Sequence, residues 1–103
     1  MLQSVESSHG IDAEGHPAGG QTVGCGIEIA WQNGPLGESR TPNGAFVEGV
    51  IQAAIDRLEF YQKSKFSCRE NAIAITKLQE AMHWLQHRTA DRERRGVEGT
   101  HQV

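Results

Sequence analysis

Ser67 to Gly96 reads SCRENAIAITKLQEAMHWLQHRTADRERRG, and the spacing of its apolar residues predicts one long helix. Ala74, Leu78, Ala81 and Leu85 recur at three- and four-residue intervals and form an inward stripe, which the same spacing carries on through Arg88, Arg92 and Arg95. The apolar seam becomes a cationic seam on the packing face, which points to an anionic contact at that end. Solvated arginines favoured by the helix dipole are the plainer alternative. Ser67 and Glu70 have the Ser-x-x-Glu spacing of a capping box, so Ser67 is the expected N-cap. Gly96 is the expected left-handed residue that closes the helix.

Upstream, Val47, Val50, Ile51, Ala54, Ile55, Leu58 and Tyr61 line one face of a second helix, expected to start at Thr41 or Asn43 and to run to about Gln62. The short connection Lys63 to Phe66 forces the two helices into an antiparallel hairpin. A residue just before a helix cap commonly packs on the fourth helical residue, which here would set Phe66 against the amide Asn71. Asn71 therefore either has another use or is solvated. The longer helix outruns the shorter one, so the end with Leu85, Arg88 and Arg92 is expected to lack a helix opposite it and to meet the sheet or another chain.

Before the hairpin the pattern changes. Residues 1–20 are rich in Gly, Ser, His and acidic side chains without periodicity and read as a flexible leader. Ile27, Ile29 and Trp31 alternate with polar or small residues, so residues 23–32 read as a strand, ended by Asn33-Gly34-Pro35. Residues 21–42 are thus a small β-region of two or three antiparallel strands, and residues 43–103 the helical hairpin with its tail. The fold class is α+β: a short N-terminal antiparallel β-region followed by a long antiparallel two-helix hairpin. A sheet this small is unstable alone, and a chain of 103 residues buries a thin core, so an oligomer is expected.

Hydrophobic residues are 37% and charged residues 22% of the chain, which suits a water-soluble domain, and no apolar run reaches the ~20 residues of a membrane span. No signal-like apolar stretch opens the chain, and Cys25 and Cys68 lack metal or redox spacing, so an intracellular protein with free thiols is expected. A net charge of -3 argues against a general nucleic-acid binder and leaves phosphate recognition to a local site. Metal ligation is weakly supported: His9 and His16 sit in the leader, and His83 and His87 share one helix face with no third ligand in the pattern. No cofactor is implied.

The segments IAWQNGP (Ile29 to Pro35), DRLEFYQ (Asp56 to Gln62) and FSCRENAIAITKLQEAMHWLQHRTADRERRGVEGTH (Phe66 to His101) resemble the phage Thoeris anti-defence sponge family. The resemblance covers roughly the last three quarters of the chain. It implies a non-catalytic protein that holds a cyclic ADP-ribose isomer made by a bacterial TIR-domain enzyme, and in related sponges the cyclic di- and trinucleotides of the CBASS system. It further implies a hexamer built from antiparallel dimers, at work in the cytoplasm of an infected bacterium. Its signal pocket falls on Tyr61, Asn71, Arg88 and Arg92, with Tyr61 and Trp31 standing where the family usually has Phe.

The residue types suit such a ligand on chemical grounds. An aromatic ring stacks on a base, an amide bonds its edge, and two arginines one helical turn apart fork onto phosphate oxygens. Thr89 and Asp91 adjoin the arginines and are placed to meet ribose hydroxyls, with an Asp91–Arg95 pair on the same helix as the alternative. On one continuous helix Asn71 and Arg88 lie roughly 25 Å apart, too far for one dinucleotide-sized molecule. The expected pocket therefore joins the turn end of one copy to the arginine end of another, twice per two-fold dimer. Two other functions stay open: an oligomer whose Arg88 and Arg92 pair with a neighbour's Asp56 or Glu59, and, with no nucleophile–base pair or carboxylate cluster beside the arginines to support it, an enzyme that degrades the nucleotide. Residues 96–103 are either a lid over the pocket or a disordered tail, and the resemblance, in which the GVEGTH run is kept, favours the lid.

Overall fold

The computed structural model describes residues 4–34 and 41–94, as two compact units that divide after Phe46. The architecture is α+β, with three strands followed by two helices. Strand β1 is Val5–Ile11, β2 is Pro17–Gly24 and β3 is Ile27–Ala30, and they form one antiparallel sheet in the order β1-β2-β3.

Strand β1 and the first half of β2 lie in the stretch whose composition predicts a flexible leader. The hairpin between β1 and β2 is built by Asp12. Its Oδ1 accepts the backbone N–H of Glu14 at 2.9 Å and of His16 at 3.0 Å, while its own N–H bonds the His16 carbonyl at 2.9 Å. An aspartate that satisfies its own turn in this way substitutes local hydrogen bonds for apolar content, which is why a hydropathy pattern misses it. Residues 23–32 are likewise not one strand. The chain reverses at Cys25-Gly26, where Gly26 takes φ +76°, and Gly24 then pairs with Ile27. A side chain at Gly26 would be strained there, so the residue marks a two-residue hairpin turn.

A polar knot holds the sheet. The Thr22 hydroxyl is buried, lies 2.9 Å from the Ser7 hydroxyl across the β1–β2 pair, and accepts the Trp31 indole N–H at 2.8 Å. Beyond β3, Ala45 bridges Trp31 in parallel, donating its N–H to the Ala30 carbonyl at 2.7 Å and accepting the Gln32 N–H at 2.9 Å. Asn43 is part of this segment and does not start a helix. Its amide takes the Asn33 N–H at 2.8 Å and donates to the Asn33 carbonyl at 3.1 Å, while its own N–H bonds the Gln32 side chain at 2.9 Å. With its side chain and backbone engaged in this clamp, the helix begins later.

The second unit is the hairpin, α1 Val47–Gln62 and α2 Arg69–Arg94. Their 16 and 26 residues correspond to about 24 and 39 Å of helix. Ile55 on α1 is the buried apolar residue of the described chain, 3% exposed. Leu58 on α1 and Ala74, Ile75, Leu78, Ala81, Met82 and Leu85 on α2 are half-buried.

The turn closes through Ser64, whose hydroxyl donates to the Tyr61 carbonyl at 2.6 Å and accepts the Phe66 N–H at 3.0 Å. The N-cap of α2 is Cys68 and not Ser67: the Cys68 carbonyl takes the first helical bond from Ala72. The cap is held by the Gln62 amide, which accepts the Cys68 N–H at 3.0 Å and donates to the Cys68 carbonyl at 3.1 Å. No helix among the described residues is long and apolar enough to cross a membrane. Gly96 and the predicted lid lie outside the described residues.

Candidate functional site

Tyr61 sits in the last turn of α1 and Asn71 in the first turn of α2, so the hairpin turn brings the two to one end. Both are half-buried. Asn71 does have a use other than solvation, since its amide donates to the Phe66 carbonyl at 3.4 Å. The amide spans the connection that an apolar staple would otherwise fix, which accounts for the polar residue at that position. Phe66 itself is 68% exposed.

Beside Tyr61 stands Arg57, which the spacing of apolar residues does not single out. Its Nε donates to the Tyr61 hydroxyl at 3.2 Å, and its guanidinium carbon lies 5.0 Å from the ring centroids of both Phe60 and Tyr61. The two rings are tilted by 54° with centroids 6.1 Å apart. The i, i+3 and i, i+4 relation of Arg57 to the two aromatics was a legible signal of this cluster.

Arg88, Thr89, Asp91 and Arg92 occupy the other end of α2. As α2 is continuous, the rise per residue keeps Asn71 and Arg88 roughly 25 Å apart, and one hairpin does not bring the two groups together. Within the cationic group the side chains differ. Thr89 and Arg92 are half-buried on the continuation of the packing face, whereas Arg88 is exposed at its edge.

Arg88 is not without a helix opposite it. Its guanidinium meets the Glu48 carboxylate in the first turn of α1 at 3.4 Å, so α1 reaches as far as this turn of α2. Antiparallel pairing sets the first turn of α1 against the later part of α2, and the excess length of α2 is shared between its two ends. Asp91 pairs with Arg94 at 3.2 Å. Arg95 lies outside the described residues. Arg92 has no ion-pair partner among the described residues.

A shallow groove of roughly 210 Å³ also runs along the hairpin, with Ile55 and Met82 at its floor and Gln52, Glu59, Gln79, His83 and Gln86 around it. None of the six predicted site residues lines it. Asp12, Glu14 and His16 form a metal-ligand grouping in the described chain, with donor atoms within 4.8 Å of one another. Asp12 Oδ1 there already accepts two backbone N–H groups, which makes the grouping first of all a turn. The rings of Trp84 and His87 stand nearly perpendicular, with centroids 6.0 Å apart.

Comparison with known proteins places the hairpin in a family. Residues 25–90 match the Acb2/Tad1 hairpin domain. The chain belongs to that family. It is also 54% identical over 74 residues to Thoeris anti-defense 1 of Bacillus phage SBSphiJ7, over 72% of this chain and 51% of that protein. The chain thus spans about half the length of that relative. The Acb2/Tad1 match begins at the β2–β3 turn and takes in Tyr61, Asn71, Arg88 and Thr89, while Asp91 and Arg92 fall just beyond it.

Proposed function

We propose that this protein is a phage anti-defence sponge that binds a cyclic nucleotide immune signal in the host cytoplasm and withholds it without cleaving it. The observation that carries the reading is the 54% identity, over 74 residues, to a phage protein named for Thoeris anti-defence. The ligand class is a cyclic ADP-ribose isomer, with cyclic di- and trinucleotides of CBASS as further guests.

In this reading Tyr61 stacks on the base and Asn71, already in place at the turn, offers its amide edge. Arg92 takes phosphate oxygens, with Arg88 as its neighbour one turn earlier, and Thr89 and Asp91 meet ribose hydroxyls. Because the two groups stand at opposite ends of α2, the ligand bridges two copies in an antiparallel dimer, and a hexamer arises by association of such dimers. Base stacking contributes about 1–3 kcal/mol and each charge-assisted hydrogen bond about 1.5–3 kcal/mol, so a few such contacts reach nanomolar affinity, roughly -12 kcal/mol.

The Arg88–Glu48 pair favours a second reading, an assembly protein whose arginines serve only its own contacts. Calorimetry against a panel of cyclic ADP-ribose isomers and cyclic oligonucleotides separates the two. The sponge binds at least one tightly and releases it intact on denaturation, and Arg92→Ala removes binding while the assembly persists. No binding across the panel, or loss of assembly in Arg92→Ala, supports the assembly protein, and recovery of fragments would make the chain an enzyme.

A further inference from the structure

We infer that Arg57 is a further ligand-binding residue, held over the aromatic end of the hairpin by the Tyr61 hydroxyl, where it recognises a phosphate of the nucleotide that stacks there. The inference rests on the sponge reading and adds a cation to the end of the hairpin to which that reading assigns only a ring and an amide.

Arg57 is fixed in direction without being neutralised. One donor, Nε–H, is spent on the Tyr61 hydroxyl at 3.2 Å, and the guanidinium lies 5.0 Å from two ring centroids. An arginine has five N–H donors, so four remain on a planar fork. No carboxylate among the described residues forms an ion pair with it; the adjacent Asp56 instead accepts the Gln52 amide at 2.8 Å. Packing against aromatic faces retains the positive charge and restricts the rotamers, which lowers the ordering cost of meeting an anion. The side chain is exposed, so an incoming ligand can reach it.

Tyrosine matters here through its oxygen as well as its ring. The hydroxyl accepts from Nε and leaves both terminal nitrogens of Arg57 to take two phosphate oxygens at once. Lysine in place of Arg57 would retain charge but lose both the Nε bond and the fork.

The test is calorimetry of a cyclic ADP-ribose isomer with the full chain, for wild type, Arg57→Ala, Arg57→Lys, Tyr61→Phe and the Arg57→Ala/Tyr61→Phe pair, at low and high salt. Losing one charge-assisted contact should weaken binding roughly tenfold, with Arg57→Lys recovering only part of that and the loss shrinking as salt rises. Tyr61→Phe keeps the ring, so it should weaken binding by about threefold, and it should add nothing once Arg57 is gone. Helical circular dichroism confirms that each variant folds. Wild-type affinity in Arg57→Ala overturns the inference while leaving the sponge intact. A full additional loss from Tyr61→Phe in the Arg57→Ala background overturns the positioning role of the hydroxyl. Absence of binding by the wild type overturns the sponge reading and this inference with it.

Discussion

Glu48 and Arg88 are forty residues apart in the chain and 3.4 Å apart in the fold. The pair is partly exposed, with side-chain exposures of 28% and 48%, so it contributes only about 0–1 kcal/mol to stability. Its larger effect is on the charge offered to a ligand, because a carboxylate beside Arg88 competes with a phosphate for the same donors. Glu48→Gln should leave thermal unfolding within a few degrees of wild type and tighten binding of a cyclic ADP-ribose isomer by roughly two- to fivefold; weaker binding would mean that Glu48 organises Arg88 for the ligand. Thr22 makes the opposite case, a buried hydroxyl that serves the fold. Thr22→Val deprives both the Trp31 indole and the Ser7 hydroxyl of their partner, and should cost about 1–3 kcal/mol in urea unfolding followed by Trp31 fluorescence in a Trp84→Phe background. Spacing brought out Arg88 and Arg92 because both recur with the helical period. It missed Glu48, whose partner is set by the pairing of two helices.

The elements differ in how openly they announce themselves. Both helices are legible because amphipathic periodicity persists over many residues, and the short Lys63–Phe66 connection dictates their antiparallel course. Their ends are less so. A Ser-x-x-Glu pattern at Ser67 competes with a Gln62 side chain six residues before Cys68, and the glutamine prevails because it reaches both the N–H and the carbonyl of the cap. Gln62→Ala should therefore lower the stability of the hairpin by about 1 kcal/mol, while Ser67→Ala should change it by a few tenths. The reverse order in thermal circular dichroism would restore the capping box. The strands are harder to see. β1 and β2 carry glycines, serines and a histidine in place of alternating apolar residues, and Gly20 sits where a Cβ would lie 2.2 Å from the Ser8 carbonyl oxygen. Close backbone approach and an aspartate-built turn specify this hairpin, and neither has a hydropathy signature.

Burial among the described residues is thin. Ile55, 3% exposed, is the buried apolar side chain of the described residues, while Trp84, Phe66 and Phe60 are 74, 68 and 56% exposed. Exposed aromatics on this scale favour association, which the proposed two-copy pocket requires. Sedimentation of the purified protein should give a species of more than one chain, tightened by the nucleotide. A monomer that binds the nucleotide at full affinity would dismiss the shared pocket.

Within this molecule, residue periodicity alone determined that two helices exist, which faces they bury, and that Arg92 continues the packing stripe, since each follows from 3.6 residues per turn. The aromatic–amide end and the cationic end follow from the same arithmetic once the connection is known to be short. Tertiary structure alone decided that Glu48 meets Arg88 and that the glycine-rich N-terminal stretch is sheet. Those features depend on which backbone groups and side chains are brought within bonding distance after the chain has turned back on itself, and no local pattern of hydrophobicity encodes that distance.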